Sequence, residues 1–185
     1  MKILILILFF TNSLMAIETP KFKVLDKVDN IEIREYNSMV IAVTEVQQPY
    51  SSALSEGFRR IANYIFGGND REMEIAMTAP VISRKIDVNN SHEVFFIMPS
   101  EHNIDNLPKP NLKSVMVEER NLSKVAAIKF GGWATDDRVK YFYDTLEMSL
   151  KNVGYKTIGD YMVAQYNSPW ALPPFRKNEI LIKVR

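Results

Sequence analysis

IEIREYNSMVIAVTEV at residues 31–46 returns in pattern as VMVEERNLSKVAAIKF at residues 115–130. At an offset of 84, Glu35 meets Glu119, Asn37 meets Asn121 and Ala42 meets Ala126, while Ile31, Ile33 and Ile41 meet Val115, Val117 and Val125. Each copy alternates apolar with polar residues and then turns wholly apolar, the signature of two strands with one buried face. In the first copy Asn37-Ser38 reads as a turn, so Ile31–Tyr36 and Val40–Val46 are expected to form a hairpin. A helix follows in each. From Ser51 to Phe66, Leu54, Phe58, Ile61 and Ile65 fall on one face. From Thr135 or Asp136 to Val153, Val139, Phe142, Tyr143, Leu146, Leu150 and Val153 do the same. Gly67 and Gly154, offset by 87, stop the two helices.

Further out, Ile75–Ile82 and Tyr161–Tyr166 read as extended. Glu93 with Val94-Phe95-Phe96 aligns with Glu179 and Ile180-Leu181-Ile182 at an offset of 86. The first repeat therefore runs over about 22–98 and the second over about 114–185, joined by a proline-bearing connector at 99–112. Neither half can cover its own sheet. The expected fold is α+β: two pseudo-symmetric strand–helix–strand repeats share one curved, largely antiparallel sheet that carries both helices, with a groove between the halves.

Ahead of this domain, residues 1–16 read as a secretory signal. Lys2 is followed by the unbroken apolar run Ile3–Phe10, the polar break Thr11-Asn12-Ser13 and a small residue, Ala16, at the cut. Eight apolar residues are too few to span a bilayer, which takes about 20. Residues 17–185 are then one exported domain, periplasmic or secreted, with no integral membrane segment after cleavage, expected to be a monomer. With 23 basic and 22 acidic residues and no basic block, the chain lacks the charge of a nucleic-acid binder. It has no cysteine, which excludes disulfides, thiolate metal sites and a cysteine nucleophile.

Few residues point to chemistry. His92 and His102 sit in polar surroundings, no metal-ligand spacing is present, and no GxSxG elbow offers a nucleophile, so neither a metal site nor a catalytic residue is assigned. Glu35 and Glu119 occupy equivalent positions and could act as a base, which keeps a small-molecule hydrolase open as an alternative. The stretch Tyr166–Lys177 carries Trp170, Leu172, Phe175, Arg176 and Lys177 on a proline-rich loop. Aromatic faces beside cations suit a flat, apolar, anionic ligand, or else a partner protein.

IREY at 33–36, ALSEGFRRIANYIFGGND at 53–70, MTAPV at 77–81, YNSP at 166–169 and RKNEI at 176–180, taken together and in this order, resemble the SOUL haem-binding family. The resemblance implies a distorted β-barrel or twisted sheet flanked by two helices, similar to the effector-binding domains of some bacterial regulators. It implies a non-enzymatic binder of haem or another tetrapyrrole, held between the first helix and the late loop. The helix side of that groove falls on Ser55, Phe58, Arg59, Ala62 and Asn63, and the loop side on Trp170, Leu172, Phe175, Arg176 and Lys177. Where relatives place cations for the propionates, this chain has Ser55 and Asn63, leaving Arg59 or Arg60 to substitute. Where one branch places an iron-binding histidine it has Glu35, a poor axial ligand. The resemblance thus implies haem or a porphyrin as ligand without a strong protein axial ligand.

Overall fold

A computed structural model describes residues 17–86, 90–168 and 170–185. The secretory signal at 1–16 lies outside the described residues, as does Pro169 of the YNSP motif.

Among the described residues, one antiparallel sheet of nine strands carries two helices. In chain order the elements are β1 (Phe22–Val28), β2 (Ile31–Tyr36), β3 (Met39–Gln47), α1 (Tyr50–Ile65), β4 (Val81–Lys85), β5 (Ser91–Ile97), β6 (Val115–Arg120), β7 (Ser123–Gly131), α2 (Asp136–Asn152), β8 (Thr157–Gln165) and β9 (Lys177–Val184), with a single 3-10 turn at Pro173–Phe175. Across the sheet the order is β1-β2-β7-β9-β8-β4-β5-β3-β6.

The expected β2–β3 hairpin does not form. β2 pairs with β1 and β7, while β3 pairs with β5 and β6, so the two neighbours in sequence lie far apart in the sheet. A two-residue hairpin needs positive φ in its turn. Neither Asn37 nor Ser38 has it, and the chain turns a corner rather than doubling back. A second correction concerns Ile75–Ile82. The strand starts only at Val81, because Pro80 has no N–H to give to a ladder. Residues ahead of it are tied down instead by the Thr78 hydroxyl, which donates to the Ile97 carbonyl. Sequence reading also missed β1, an edge strand with no buried face and hence no alternation to read.

The pairing has an internal symmetry. Exchange β2 with β6, β3 with β7, β4 with β8 and β5 with β9, and every pairing among those strands maps onto another. Register follows too: Ile41 pairs with Ile97, and Val125 and Lys183, displaced by 84 and 86, pair with each other. β4 and β8 meet at the centre, through Val81–Gln165 to Arg84–Met162.

Each helix covers one half of one sheet face. Leu146, Leu150 and Val139 of α2 pack on Ile31, Ile33, Ile128 and Ile180. Ile61, Tyr64 and Ile65 of α1 pack on Ala42, Val94, Phe96 and Val115. Close approach of α1 to β5 depends on Gly57, since a Cβ there would lie 2.6 Å from Val94. On the other face the curled sheet buries itself, with Ile41, Phe95, Val125, Met162 and Leu181 in one cluster. A wholly buried side chain of this size contributes about 1.5–3 kcal/mol.

Two buried carboxylates sit at equivalent places on that helix-free face. Glu179 of β9 takes both Arg34 terminal nitrogens, Nη1 at 2.8 Å and Nη2 at 2.7 Å, and the Tyr166 hydroxyl at 2.6 Å. Arg34 also donates to Glu32 and to the Tyr36 hydroxyl, and stacks under Phe22, 4.2 Å from the ring centre. Glu93 of β5 is held in the same way by Arg120 and Arg84. In both cases an arginine on a strand two places away reaches across the intervening strand.

Removing one member of a buried pair strands the other, at a cost of about 3 kcal/mol, whereas replacing both by apolar groups restores much of it. Glu179→Ala is therefore expected to lower the urea midpoint strongly, and Glu179→Ala with Arg34→Met to recover part of the loss. The Tyr166 and Tyr36 phenols are pushed up, first by burial, with the Glu179 charge adding to it. Their contribution to stability is complete below the ordinary phenol value of 10.0 and is lost as pH rises above it, because the unfolded phenols ionise first. Denaturation midpoints between pH 8 and 11 are expected to fall, and less steeply in Tyr166→Phe.

Candidate functional site

A groove of about 720 Å³ lies on the helix-bearing face, over the line where β4 meets β8. Its floor is Val81 and Gln165, register partners across that line. One wall is the N-terminal half of α1, with Tyr50, Leu54, Ser55 and Phe58. The other is the corner between β7 and α2, with Trp133, Ala134 and Asp136, and Arg176 closes it from the late loop. This volume falls in the range of small-molecule sites, and walls of apolar groups with a few polar ones are what such sites have.

Trp133 is held by its neighbourhood. Gly132 takes a φ of +79°, a conformation open to glycine, and so turns the chain out of β7. Side chains then fasten the corner: Asn178 Nδ2 donates to the Gly132 carbonyl at 2.9 Å and Arg138 Nη2 to the Gly131 carbonyl at 2.7 Å. The buried Arg176 guanidinium lies 3.7 Å from the Trp133 ring centre, and its Nε donates to the Ala171 carbonyl at 2.9 Å. Trp133 itself is half exposed, which leaves ring surface for a ligand. Opposite it, Phe58 is backed by Phe96 at 5.3 Å between ring centres.

Tyr50 begins α1 and reaches down to the floor. Its hydroxyl lies 3.4 Å from Ser83 Oγ and 3.4 Å from Gln165 Nε2. Burial pushes this phenol up, partly offset by those two contacts.

Of the residues singled out from sequence, Ser55, Phe58 and Arg176 come together in the groove. The others stand elsewhere. Arg59 is exposed, pairs with Glu56 and borders a shallow polar depression with Gln48 and Ser52. Arg60 also pairs with Glu56, and reaches the Glu45 carbonyl. Ala62 and Asn63 lie a turn further along α1, where the Asn63 carbonyl accepts from the Gly68 N–H. Trp170, Leu172 and Phe175 are exposed by 91%, 65% and 70% and do not line the groove. Lys177 borders a separate depression beside Arg34 and Glu179. Glu35 and Glu119 are both exposed, and Glu119 borders a third depression near His102. No group of three acidic or histidine residues suited to a metal ion occurs among the described residues.

Sequence reading missed Tyr50, Leu54 and Trp133. Leu54 was visible as a core position, and Trp133 stands right after Gly131-Gly132, where the sequence alignment of the two halves shifts; only the fold brings that corner beside the same groove as α1.

Comparison with known proteins places the chain among relatives. The model of the SOUL heme-binding protein family matches residues 17–183. Heme-binding protein 2 of Homo sapiens is 31% identical over 177 residues, covering 89% of this chain and 85% of the relative. Heme-binding protein 1 of Xenopus laevis is 28% identical over 181 residues, covering 91% and 94%. Among solved structures, the EcmrR C-terminal domain matches with a TM-score of 0.65 at 13% identity, over 84% of this chain and 96% of that one. A hydrolase from Listeria innocua matches with a TM-score of 0.61 at 8% identity, over 84% and 92%. At such low identity these two speak for the fold alone.

In a Trp170→Phe background Trp133 is the sole tryptophan. Adding Arg176→Ala is expected to red-shift its emission and increase its quenching by iodide. An unchanged spectrum would show that the stack does not hold the ring in solution.

Proposed function

The chain belongs to the SOUL heme-binding protein family, and from that membership we propose that its groove binds haem, another tetrapyrrole or a similar flat apolar molecule without transforming it. The observation that carries this is the opposition of Leu54 and Phe58 to the Trp133–Arg176 stack across one groove. A flat ring entering between them is buried on both faces, at about 25 cal/mol per Å² of apolar surface before the cost of association. When bound, a haem supplies a planar apolar ring, two carboxylates and an iron. Arg176 is the cation on the groove wall, and carboxylates of the ring are placed toward it. Arg59, Arg60 and Lys177 lie outside the groove and take no part in holding the ring. Ring burial, rather than iron coordination, carries the bulk of the affinity.

Neither Glu35 nor Glu119 lines the groove, which removes the base that a hydrolase reading depended on. A partner-contact reading of the loop has one observation in its favour, the exposure of Trp170, Leu172 and Phe175. We also infer that the chain is two copies of one unit, supported by the pairing symmetry about β4 and β8. Export to the periplasm or beyond, and a monomeric state, complete the proposal. No helix among the described residues is long and apolar enough to cross a membrane.

Metal-free protoporphyrin is expected to bind the purified chain with a Kd of about micromolar, read from ring fluorescence. Leu54→Arg, which fills the groove, is expected to weaken binding by about tenfold or more, while Arg59→Ala changes it by less than about twofold. Equal affinity of wild type and Leu54→Arg would move the site elsewhere.

A further inference from the structure

Haem iron in proteins is held by histidine, cysteine, methionine or tyrosine side chains. The chain has no cysteine. Both histidines are out of reach of the groove. His92 is buried behind Tyr50, with ring centres 5.7 Å apart and its Nδ1 against the Gln48 and Asn90 carbonyls. His102 borders a different depression. None of the described methionines lines the groove. Glu35, where the family resemblance would put a ligand, is an exposed residue of β2. One residue of a ligating type remains among the groove's lining: Tyr50.

We propose that Tyr50, through its phenol oxygen, is the protein ligand to the ferric ion of a haem held in this groove. Tyr50 lines the groove, and its oxygen lies 3.4 Å from Ser83 Oγ of β4 and 3.4 Å from Gln165 Nε2 of β8, the two strands that meet beneath the site. Its two hydrogen-bond partners are both at 3.4 Å, longer than a well-made bond, so they hold the oxygen only weakly against a shift toward a metal. As the oxygen gives a lone pair to the iron, its O–H bond breaks and the proton leaves to water. Ser83 and Gln165 are placed to donate to the resulting phenolate, and a phenolate, a hard anionic donor, favours ferric over ferrous iron. Asp136 also lines the groove, and its negative charge would favour a cationic centre held there.

This inference rests on the groove being the tetrapyrrole site, and the two are separable by using rings with and without iron. Wild type, Tyr50→Phe and Tyr50→His are titrated with ferric haemin and with metal-free protoporphyrin, followed by absorbance and by electron paramagnetic resonance. Expected for wild type is ferric binding about tenfold or more tighter than that of the metal-free ring, with a high-spin ferric signal and a phenolate-to-iron charge-transfer band. Tyr50→Phe is expected to lose the extra affinity and the band while binding the metal-free ring within about twofold of wild type. Tyr50→His is expected to replace the phenolate spectrum by an imidazole one. Identical ferric spectra and affinities in wild type and Tyr50→Phe, with the metal-free ring still bound, would overturn the ligand and leave the site standing. Failure of both rings to bind wild type would overturn both.

Discussion

Everything in this molecule is arranged around the short ladder where β4 meets β8, Val81–Gln165 to Arg84–Met162. Each half supplies one of these strands. Each half also lends an outer strand to the other, since β2 of the first pairs with β7 of the second and β6 of the second with β3 of the first. A half by itself would have only three strands paired in series, β4-β5-β3 or β8-β9-β7, with β2 or β6 cut off from them and one helix over an incomplete sheet. Only the joined sheet can bury the cluster on its helix-free face, and only the joined sheet brings the start of α1 opposite the start of α2. The groove follows from this, with Val81 and Gln165 as its floor and one helix start on either side.

Much of the fold was legible because apolar periodicity reports burial directly. β2, β7, β9 and both helices have a face that is wholly inside, and their sequences alternate or recur accordingly. What stayed hidden has physical causes. β1 buries almost nothing, so its sequence carries no pattern. The partners of β2 and β3 were misread because strand pairing is a property of the whole sheet, and Asn37-Ser38 looks like a turn whether or not the chain reverses there. Pro80 announced a break without saying on which side of it the strand would lie.

The site was legible in a different way. Ser55 and Phe58, which line the groove, were named through the family resemblance, and Arg176 by chemical type, as a cation on a loop rich in aromatics. Arg59 does not line this groove: a cation on the same helix need not share a face with Phe58, and it pairs with Glu56 beside another depression. Trp170, Leu172 and Phe175 are the most conspicuous aromatic and aliphatic groups of their loop, yet they project away from the cavity that the loop helps to close. Trp133 and Tyr50 became visible only when a glycine corner and the first turn of a helix, far apart in sequence, were set face to face.

The last strand, β9, lies between β7 and β8 in the interior of the sheet. A chain made from its amino end therefore completes most of its length with the centre of its sheet missing. β2 also waits for a partner from the other half of the chain, and such distant closures are slow. Until β9 is in place, β7 and β8 are not joined and α2 lacks Ile180 and Ile182 beneath it, although the two strands of the groove floor are already made. Closure of the sheet and the seating of the second helix are thus tied to one strand.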